Sequence, residues 1–274
     1  MNRIPLIIMA AGVSSRMKKS SITKEMTKNQ INQSNSRVKG YIQVGEGREP
    51  LIFYLIKNSI NAGVREFYII VSNNSKDFQK YLKSLECRLG ITVNFAIQDF
   101  CGKSKPLGTS DAIFQTMNQH EELIKTRFLV CNCDNLYSAK AIRLLLDESN
   151  YNSMIAYSFE CLEFSDERLS SFSLLNIENN FLSEIIEKPD LELIRNHHKK
   201  KYVSMNIFSF KGSEIYKHLK DCPINIKRGE KEIASALQNM IFENKKSVIT
   251  FPLCEHVPDM TYKNDLEKIN KFLN

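Results

Sequence analysis

Nowhere in the 274 residues does an apolar run approach the roughly 20 residues that a membrane-spanning helix needs, so no membrane partner is expected. No Cys-x-x-Cys pair occurs among the seven cysteines, Cys87, Cys101, Cys131, Cys133, Cys161, Cys222 and Cys254, which are odd in number and scattered. Cys131 and Cys133 imitate a metal pair, but on a strand they share one face across Asn132, and no second pair lies near. Buried reduced thiols are the expectation there, in a reducing cytoplasm. Neither an aromatic–basic RNA-binding signature nor zinc-finger spacing appears. The net charge of +7 is therefore assigned to anionic small molecules, and no nucleic acid partner is expected. Gly12 is followed by no glycine at the G-x-G-x-x-G positions, which argues against a dinucleotide-binding reductase. No internal repeat and no clean linker divides the chain. Met1-Asn2-Arg3 before an apolar run imitates a secretory signal, but the run at 4–11 is at the short limit and follows a single basic residue.

What is present is an alternation of strands and helices. A strand is predicted over 4–10, followed over 17–38 by a long mobile loop. That loop is dominated by Lys, Ser, Thr, Asn and Gln and has no apolar periodicity. Helical spacing resumes over 50–62, with Leu51, Ile52, Leu55, Ile56 and Ile60 on one stripe and Gly63 closing the helix. Strands over 66–72, 91–97 and 127–133 alternate with helices over 76–85, 109–117 and 139–148, which implies a parallel sheet covered on both faces. Past residue 150 the rhythm turns β-rich. Strands are predicted over 153–159, 171–177, 181–187 and 203–210, the middle two joined by a hairpin at Glu178-Asn179-Asn180. Helices over 214–219, 230–242 and 264–272 complete the reading. One domain over 1–274 is expected, with 1–150 as a nucleotide-binding half and 151–274 as a β-rich second half.

Five stretches carry the chemistry. Leu6-Ile7-Ile8-Met9-Ala10-Ala11-Gly12 is a buried strand ending in small residues, where a backbone can approach a ligand closely. Ser14-Ser15-Arg16 then supplies hydroxyls, N–H groups and a cation suited to phosphate. Ser36-Arg37-Val38-Lys39-Gly40 is basic. Pro106-Leu107-Gly108-Thr109 places a glycine at a loop-to-helix junction whose N–H groups point outward. Cys133-Asp134-Asn135 puts a carboxylate at the C-terminal end of a buried strand, where open α/β sheets bind ligands. Ile186-Glu187-Lys188-Pro189 is the fifth. Each has a plain structural alternative: Lys39 and Lys188 as surface lysines, Gly108 as a helix cap, Asp134 as an N-cap. His197-His198-Lys199-Lys200-Lys201 reads as a solvated basic turn rather than a metal or phosphate site.

In order along the chain, these stretches resemble the sugar-1-phosphate nucleotidyltransferases of the nucleoside-triphosphate transferase superfamily. The opening is similar to that family's Leu-Ala-Ala-Gly-x-Gly-Thr/Ser-Arg signature, with Arg16 at the arginine. Lys39 matches the lysine that follows it, with Arg37 and Lys24 as alternatives across the long loop. Leu107-Gly108-Thr109 resembles the Gly-Thr-Ala motif, Cys133-Asp134-Asn135 the Gly-Asp-Asn motif, and Glu187-Lys188-Pro189 the Glu-Lys-Pro motif. Ser204-Met205-Asn206 matches a late Asn-containing strand, and Asp259 a second metal-binding aspartate. The resemblance implies an α/β, Rossmann-like, doubly wound and mostly parallel sheet of GT-A-like type. It also implies nucleotidyl transfer from an NTP to a sugar-1-phosphate with Mg²⁺ as cofactor. Arg16 and Lys39 would be catalytic. Ala10, Ala11, Gly12, Ser15 and Thr109 would bind nucleotide, with Gln98 and Gly108 reading the base. Glu187, Lys188 and Asn206 would bind the sugar phosphate, and Asp134 and Asp259 the metal. A cytidylyltransferase acting on a non-sugar phosphate such as phosphocholine, and a catalytically silent nucleotide-binding relative, stay open as alternatives. The oligomeric state is left open, with a homo-oligomer compatible.

Overall fold

The computed structural model describes residues 4–22, 26–147, 151–196, 200–226 and 228–273. The alternative lysine Lys24 and the histidine pair His197-His198 therefore lie outside the described residues. The apolar run at the start is strand β1 (Leu6–Met9), and a small antiparallel ribbon follows from β2 (Gln43–Val44) and β3 (Glu49–Pro50). Next come β4 (Glu66–Val71), β5 (Thr92–Ile97) and β6 (Arg127–Asn132), each preceded by a helix: Leu51–Ala62, Lys76–Leu89 and Thr109–Gln119 among them. These strands lie parallel in the order β5-β4-β1-β6. The chain winds outward from β1 through β4 to β5 and then returns to the other side of β1. The topological switch therefore falls between β1 and β6, where the open ends of the strands form a crevice.

The second half extends the same sheet. It contributes β7 (Asn152–Ser158), β8 (Ser173–Glu178), β9 (Phe181–Glu187), β10 (Tyr202–Ser204), β11 (Ile207–Lys211) and β12 (Val248–Leu253). The full order is β10-β8-β9-β12-β7-β11-β6-β1-β4-β5, with β10 also paired to β7. Here antiparallel ladders dominate, except that β12 runs parallel to β7. The hairpin between β8 and β9 turns on Asn179 and Asn180, with φ of 51° and 66°, the left-handed pair that matches the twist of a tight hairpin.

Alternation along β1 assigns its side chains to two cores. Leu6 and Ile8 pack with the helices Leu51–Ala62, Lys76–Leu89 and Ala139–Leu146. Ile7 packs on the other face with Thr109–Gln119, Gly212–Lys220 and Ile233–Glu243. This three-layer arrangement is the expected doubly wound α/β class. Among the described residues no helix is long and apolar enough to cross a membrane.

Four expectations are corrected. The segment 17–38 is not a loop throughout: it continues a helix at Ser15–Lys19 and forms another at Lys28–Ser36. The second helix was hidden because polar contacts dock it. Thr27 and Gln30 form a capping box, and buried Gln33 exchanges hydrogen bonds with Gln43 at 2.7 and 2.9 Å. The single strand over 203–210 is interrupted at Met205-Asn206, where Asn206 takes φ 57°. Strand β12, a full member of the sheet, has no counterpart among the predicted elements. Its Val-Ile-Thr-Phe-Pro-Leu run is short and contains a proline, which demotes a strand reading.

The fourth correction is chemical. Cys161 and Cys254 form a disulfide with Cα atoms 5.3 Å apart, contrary to the reduced state expected. Their sequence separation of 93 conceals the pairing. Parallel β7 and β12 place Tyr157 opposite Leu253, so the residues just beyond them emerge side by side. Cys131 and Cys133 are free and buried as expected, Cys222 is also buried, and Cys87 and Cys101 are exposed. Alkylation of unreduced, denatured protein followed by mass measurement should modify five of the seven cysteines, and all seven after reduction. Seven modified without reduction would remove the Cys161–Cys254 bond.

Candidate active site

A cleft of about 490 Å³ opens at the C-terminal ends of β1 and β6. Thirteen of the fourteen residues singled out from the sequence line it: Ala11, Gly12, Ser15, Arg16, Lys39, Gln98, Gly108, Thr109, Asp134, Glu187, Lys188, Asn206 and Asp259. Ala10 does not. It is buried in the core and extends β1 by donating its N–H to the Ile70 carbonyl at 2.9 Å. Of the alternatives to Lys39, Arg37 lies outside this cleft, its guanidinium 4.4 Å from the Tyr41 ring centroid.

Between β1 and its helix the backbone turns sharply at Ser14, φ 58°. Ser14, Lys188 and Asn206 are three of the seven described non-glycine residues with positive φ, and all three line the cleft. Such strained residues cluster where a site over-determines the backbone. A Cβ on Gly12 would meet no atom within 4 Å, so the chain passes the cleft with an open face, as the small-residue run suggested. Buried Met17 pins the helix Ser15–Lys19 to the core and leaves Arg16 exposed beside the cleft. One anchor was missed from sequence: buried Lys263 donates its ammonium to the carbonyls of Lys18 (3.2 Å) and Ser20 (2.8 Å) at the end of that helix. A cation on the last carbonyls suits the negative end of a helix.

Lys39 reaches Asp134 Oδ2 at 2.6 Å across 95 residues of chain. Gly40 makes that reach possible, because a Cβ there would come within 3.1 Å of Cys133 Cβ and of the Cys133 carbonyl oxygen. Asp259 lies across a backbone bridge from Asn135, and the Met260 N–H donates to the Asp134 carbonyl at 2.8 Å. Burial and the Asp134 charge raise the Asp259 pKa above the usual carboxylate value, while Arg168 and Lys39 oppose the rise. Burial and Asp134 also push the Cys133 thiol up to about 12, so at neutral pH it stays protonated.

The donor set fits a hard divalent cation. Asp134 Oδ1 accepts no hydrogen bond from a described residue, and Asp259 Oδ2 accepts only the Asn135 amide at 3.2 Å. No group of three or more His, Cys, Asp or Glu able to hold a metal occurs among the described residues. Two carboxylates completed by substrate phosphate oxygens are what Mg²⁺ commonly uses, and a protonated thiol competes poorly for it.

Buried Gln98 donates its amide to the Gly108 carbonyl at 3.2 Å and to Asp111 Oδ2 at 3.0 Å. Its Oε1 accepts no bond from a described residue, so the oxygen is the end left for a ligand. Gly108 has φ 121°, and a Cβ there would collide with the Lys231 backbone. Lys231 and the Gly108 loop are tied together, Lys231 N–H to the Leu107 carbonyl (2.6 Å) and Ser110 N–H to the Lys231 carbonyl (3.0 Å). Thr109 accepts the Ile233 N–H at 2.9 Å. Gly108 thus caps its helix, the plain structural reading, and admits the close passage of the Lys231 backbone.

On the opposite wall Glu187 accepts from Ser173 and, at 3.3 Å, from Arg228, which also pairs with Glu230 (3.0 Å) and Glu232. Arg228 lines the cleft and was not singled out from sequence, being one of 38 Lys and Arg residues with no local periodicity to mark it. Burial, Arg228 and Arg16 lower the Lys188 pKa, with Glu187 opposing. Like-charge cations held this close are stabilised by an anionic ligand. Tyr137 fixes the turn beneath by donating to the Met205 carbonyl at 2.6 Å.

Gly108→Ala should lower stability by about 1–3 kcal/mol through positive-φ strain and collision, read from urea unfolding. An unchanged midpoint would show that the Lys231 segment simply moves aside. Iodoacetamide at pH 8 should leave Cys133 unmodified in the native protein while labelling exposed Cys87 and Cys101; rapid Cys133 labelling would mean its thiol is neither buried nor raised in pKa.

The nucleotidyl transferase family model matches residues 6–254. The chain is similar to glucose-1-phosphate adenylyltransferases of Paraburkholderia phytofirmans and Paraburkholderia phymatum, each 22% identical over 196 residues, 69% of this chain. It matches 46% of those relatives' length, so it spans about half of each. Among solved structures, a Bacillus anthracis protein assigned as a glucose-1-phosphate thymidylyltransferase, in complex with sucrose, superposes with a TM-score of 0.70 at 19% identity. That match covers 98% of this chain and 95% of the other. A UDP-glucose pyrophosphorylase complexed with UDP-glucose gives a TM-score of 0.73 at 15% identity, covering 98% of each chain. The fold is shared with these two, and with the family model spanning nearly its whole length the chain belongs to the nucleotidyl transferase family.

Proposed function

We propose that this chain transfers a nucleotidyl group from an NTP to a sugar-1-phosphate, with Mg²⁺, releasing pyrophosphate. The observation that carries the reading is the Lys39–Asp134 pair sharing one cleft with the cations Arg16, Lys188 and Arg228. Two polyanionic substrates meeting head-on repel each other, so catalysis here is charge neutralisation and alignment. Arg16 holds the triphosphate and steadies the departing pyrophosphate. Lys39 neutralises the α-phosphoryl group as the acceptor oxygen attacks and the bond to pyrophosphate breaks. Lys188 holds the acceptor phosphate, while Glu187 and Asn206 take sugar hydroxyls. Gln98 and Gly108 address the base. Asp134 and Asp259 would hold Mg²⁺, which supplies Lewis-acid stabilisation of phosphoryl charge when bound.

The phosphocholine alternative is less favoured. Phe172 is the one aromatic side chain lining the cleft among the described residues, whereas recognition of a trimethylammonium group relies on aromatic faces. The glucose-1-phosphate named for the relatives makes that ester the first acceptor to try. Pyrophosphate release should be measured over a panel of NTPs against sugar-1-phosphates and phosphocholine, with Mg²⁺ and with chelator. Turnover with phosphocholine alone reassigns the acceptor, and tight NTP binding without turnover identifies a silent relative. Asp134→Asn and Lys39→Ala should each slow turnover roughly a hundredfold or more, the scale for losing a charge-stabilising group. Near-normal rates in either variant would remove that residue from the reacting centre.

A further inference from the structure

Asp259 and Asp134 are both paired with cations, and the two pairings differ in kind. Lys39 has one carboxylate partner among the described residues, Asp134. Arg168 has two: its Nη2 lies 2.6 Å from Asp259 Oδ1 and 3.0 Å from Asp265 Oδ2. The guanidinium is further fixed by the Tyr262 ring, 4.8 Å from its centroid, and the Phe164 ring at 5.6 Å. Its buried Nε meets no acceptor, so the group is oriented for the two aspartates at the expense of one of its own donors. Asp265 Oδ2 in turn accepts the N–H groups of Thr261 (2.8 Å) and Tyr262 (2.6 Å). Arg168 therefore ties the turn after Asp259 and the helix Asp265–Leu273 to the same carboxylate.

The consequence lies in the two oxygens of Asp259. Oδ1 is taken by Arg168 and by the Thr261 hydroxyl, each at 2.6 Å. Oδ2 carries only the longer Asn135 bond at 3.2 Å, on the side of Asp134. A charge-assisted bond on one oxygen fixes the rotation of the carboxylate and leaves the other toward the cleft. We propose that Arg168 is a positioning residue that holds Asp259 in the orientation able to share a divalent cation with Asp134. It has the role of an outer partner that aims a metal-binding carboxylate. The inference rests on the reading of Asp134 and Asp259 as the metal pair. Arg168 itself is not among the residues that line the cleft.

The test is direct binding of Mn²⁺ to the protein, both free and loaded with an NTP, followed by electron paramagnetic resonance, beside steady-state kinetics. Arg168→Ala should weaken Mn²⁺ binding about tenfold and lower kcat by roughly ten- to a hundredfold while leaving KM for the NTP within about twofold, as for the loss of a second-layer partner. Millimolar guanidinium should restore part of both. Arg168→Lys, which keeps the charge and lacks the planar fork, should fall between. If Arg168→Ala yields no folded protein, Arg168→Lys carries the comparison. Wild-type protein that binds no Mn²⁺ overturns the metal reading itself. Wild-type binding with equal affinity in a folded Arg168 variant overturns the role of Arg168 alone, and so does loss of stability with unchanged metal affinity and no guanidinium rescue.

Discussion

Two carboxylates stand close together at the C-terminal edge of the sheet, and the rest of the site is organised around their mutual repulsion. Asp259 is buried and Asp134 is partly so, and burial together with the Asp134 charge raises the cost of ionising Asp259. Lys39 and Arg168 offset that charge from opposite sides, one from the segment between the first helices and the ribbon, the other from the short helix after β7. Fixed charges of both signs held on one cleft are what the proposed electrostatic catalysis would draw on.

The scaffold accounts for why these groups can meet. β1 and β6 end side by side at the point where the winding reverses, so the turn carrying Arg16 and the turn carrying Asp134 share one crevice. β11 pairs with β6 and β9 lies across β12 from β7, which brings Asn206 and Glu187 to the same opening from the second half. The segment from Arg228 to Ile233 then runs between the two sides of the cleft. It touches Gly108 and Leu107 through Lys231 and reaches Glu187 through Arg228. The Gly108 and Glu187 sides of the cleft are thereby physically connected.

The disulfide belongs to the same region. It joins the ends of β7 and β12, five residues before Asp259, where Ser138 also hydrogen-bonds Glu255 at 2.7 Å and His256 accepts the Glu163 N–H at 3.0 Å. The strand that delivers the second carboxylate is thus fastened by covalent and polar contacts together.

Local patterns carried most of the architecture. The apolar stripe at Leu51, Ile52, Leu55 and Ile56 with Gly63, the continuous apolar runs along 66–72 and 127–133, and the small-residue turn at Ala11-Gly12 are dictated by neighbours in the chain, so they were legible from sequence. So was the order of the motifs that line the cleft. What depends on partners far along the chain was not legible. Arg168 meets Asp259 across 91 residues, Lys263 reaches Ser20 across 243, and Cys161 finds Cys254 across 93. The polar helix Lys28–Ser36 is docked by Gln33 on Gln43 rather than by an apolar face, and β12 is strand because β7 is beside it. Apolar patterning determined most of the segments that are strand or helix, and the ordered motifs marked the residues that line the cleft. Only the packed sheet decided which charges neutralise one another, because that depends on distances in space rather than on spacing in the chain.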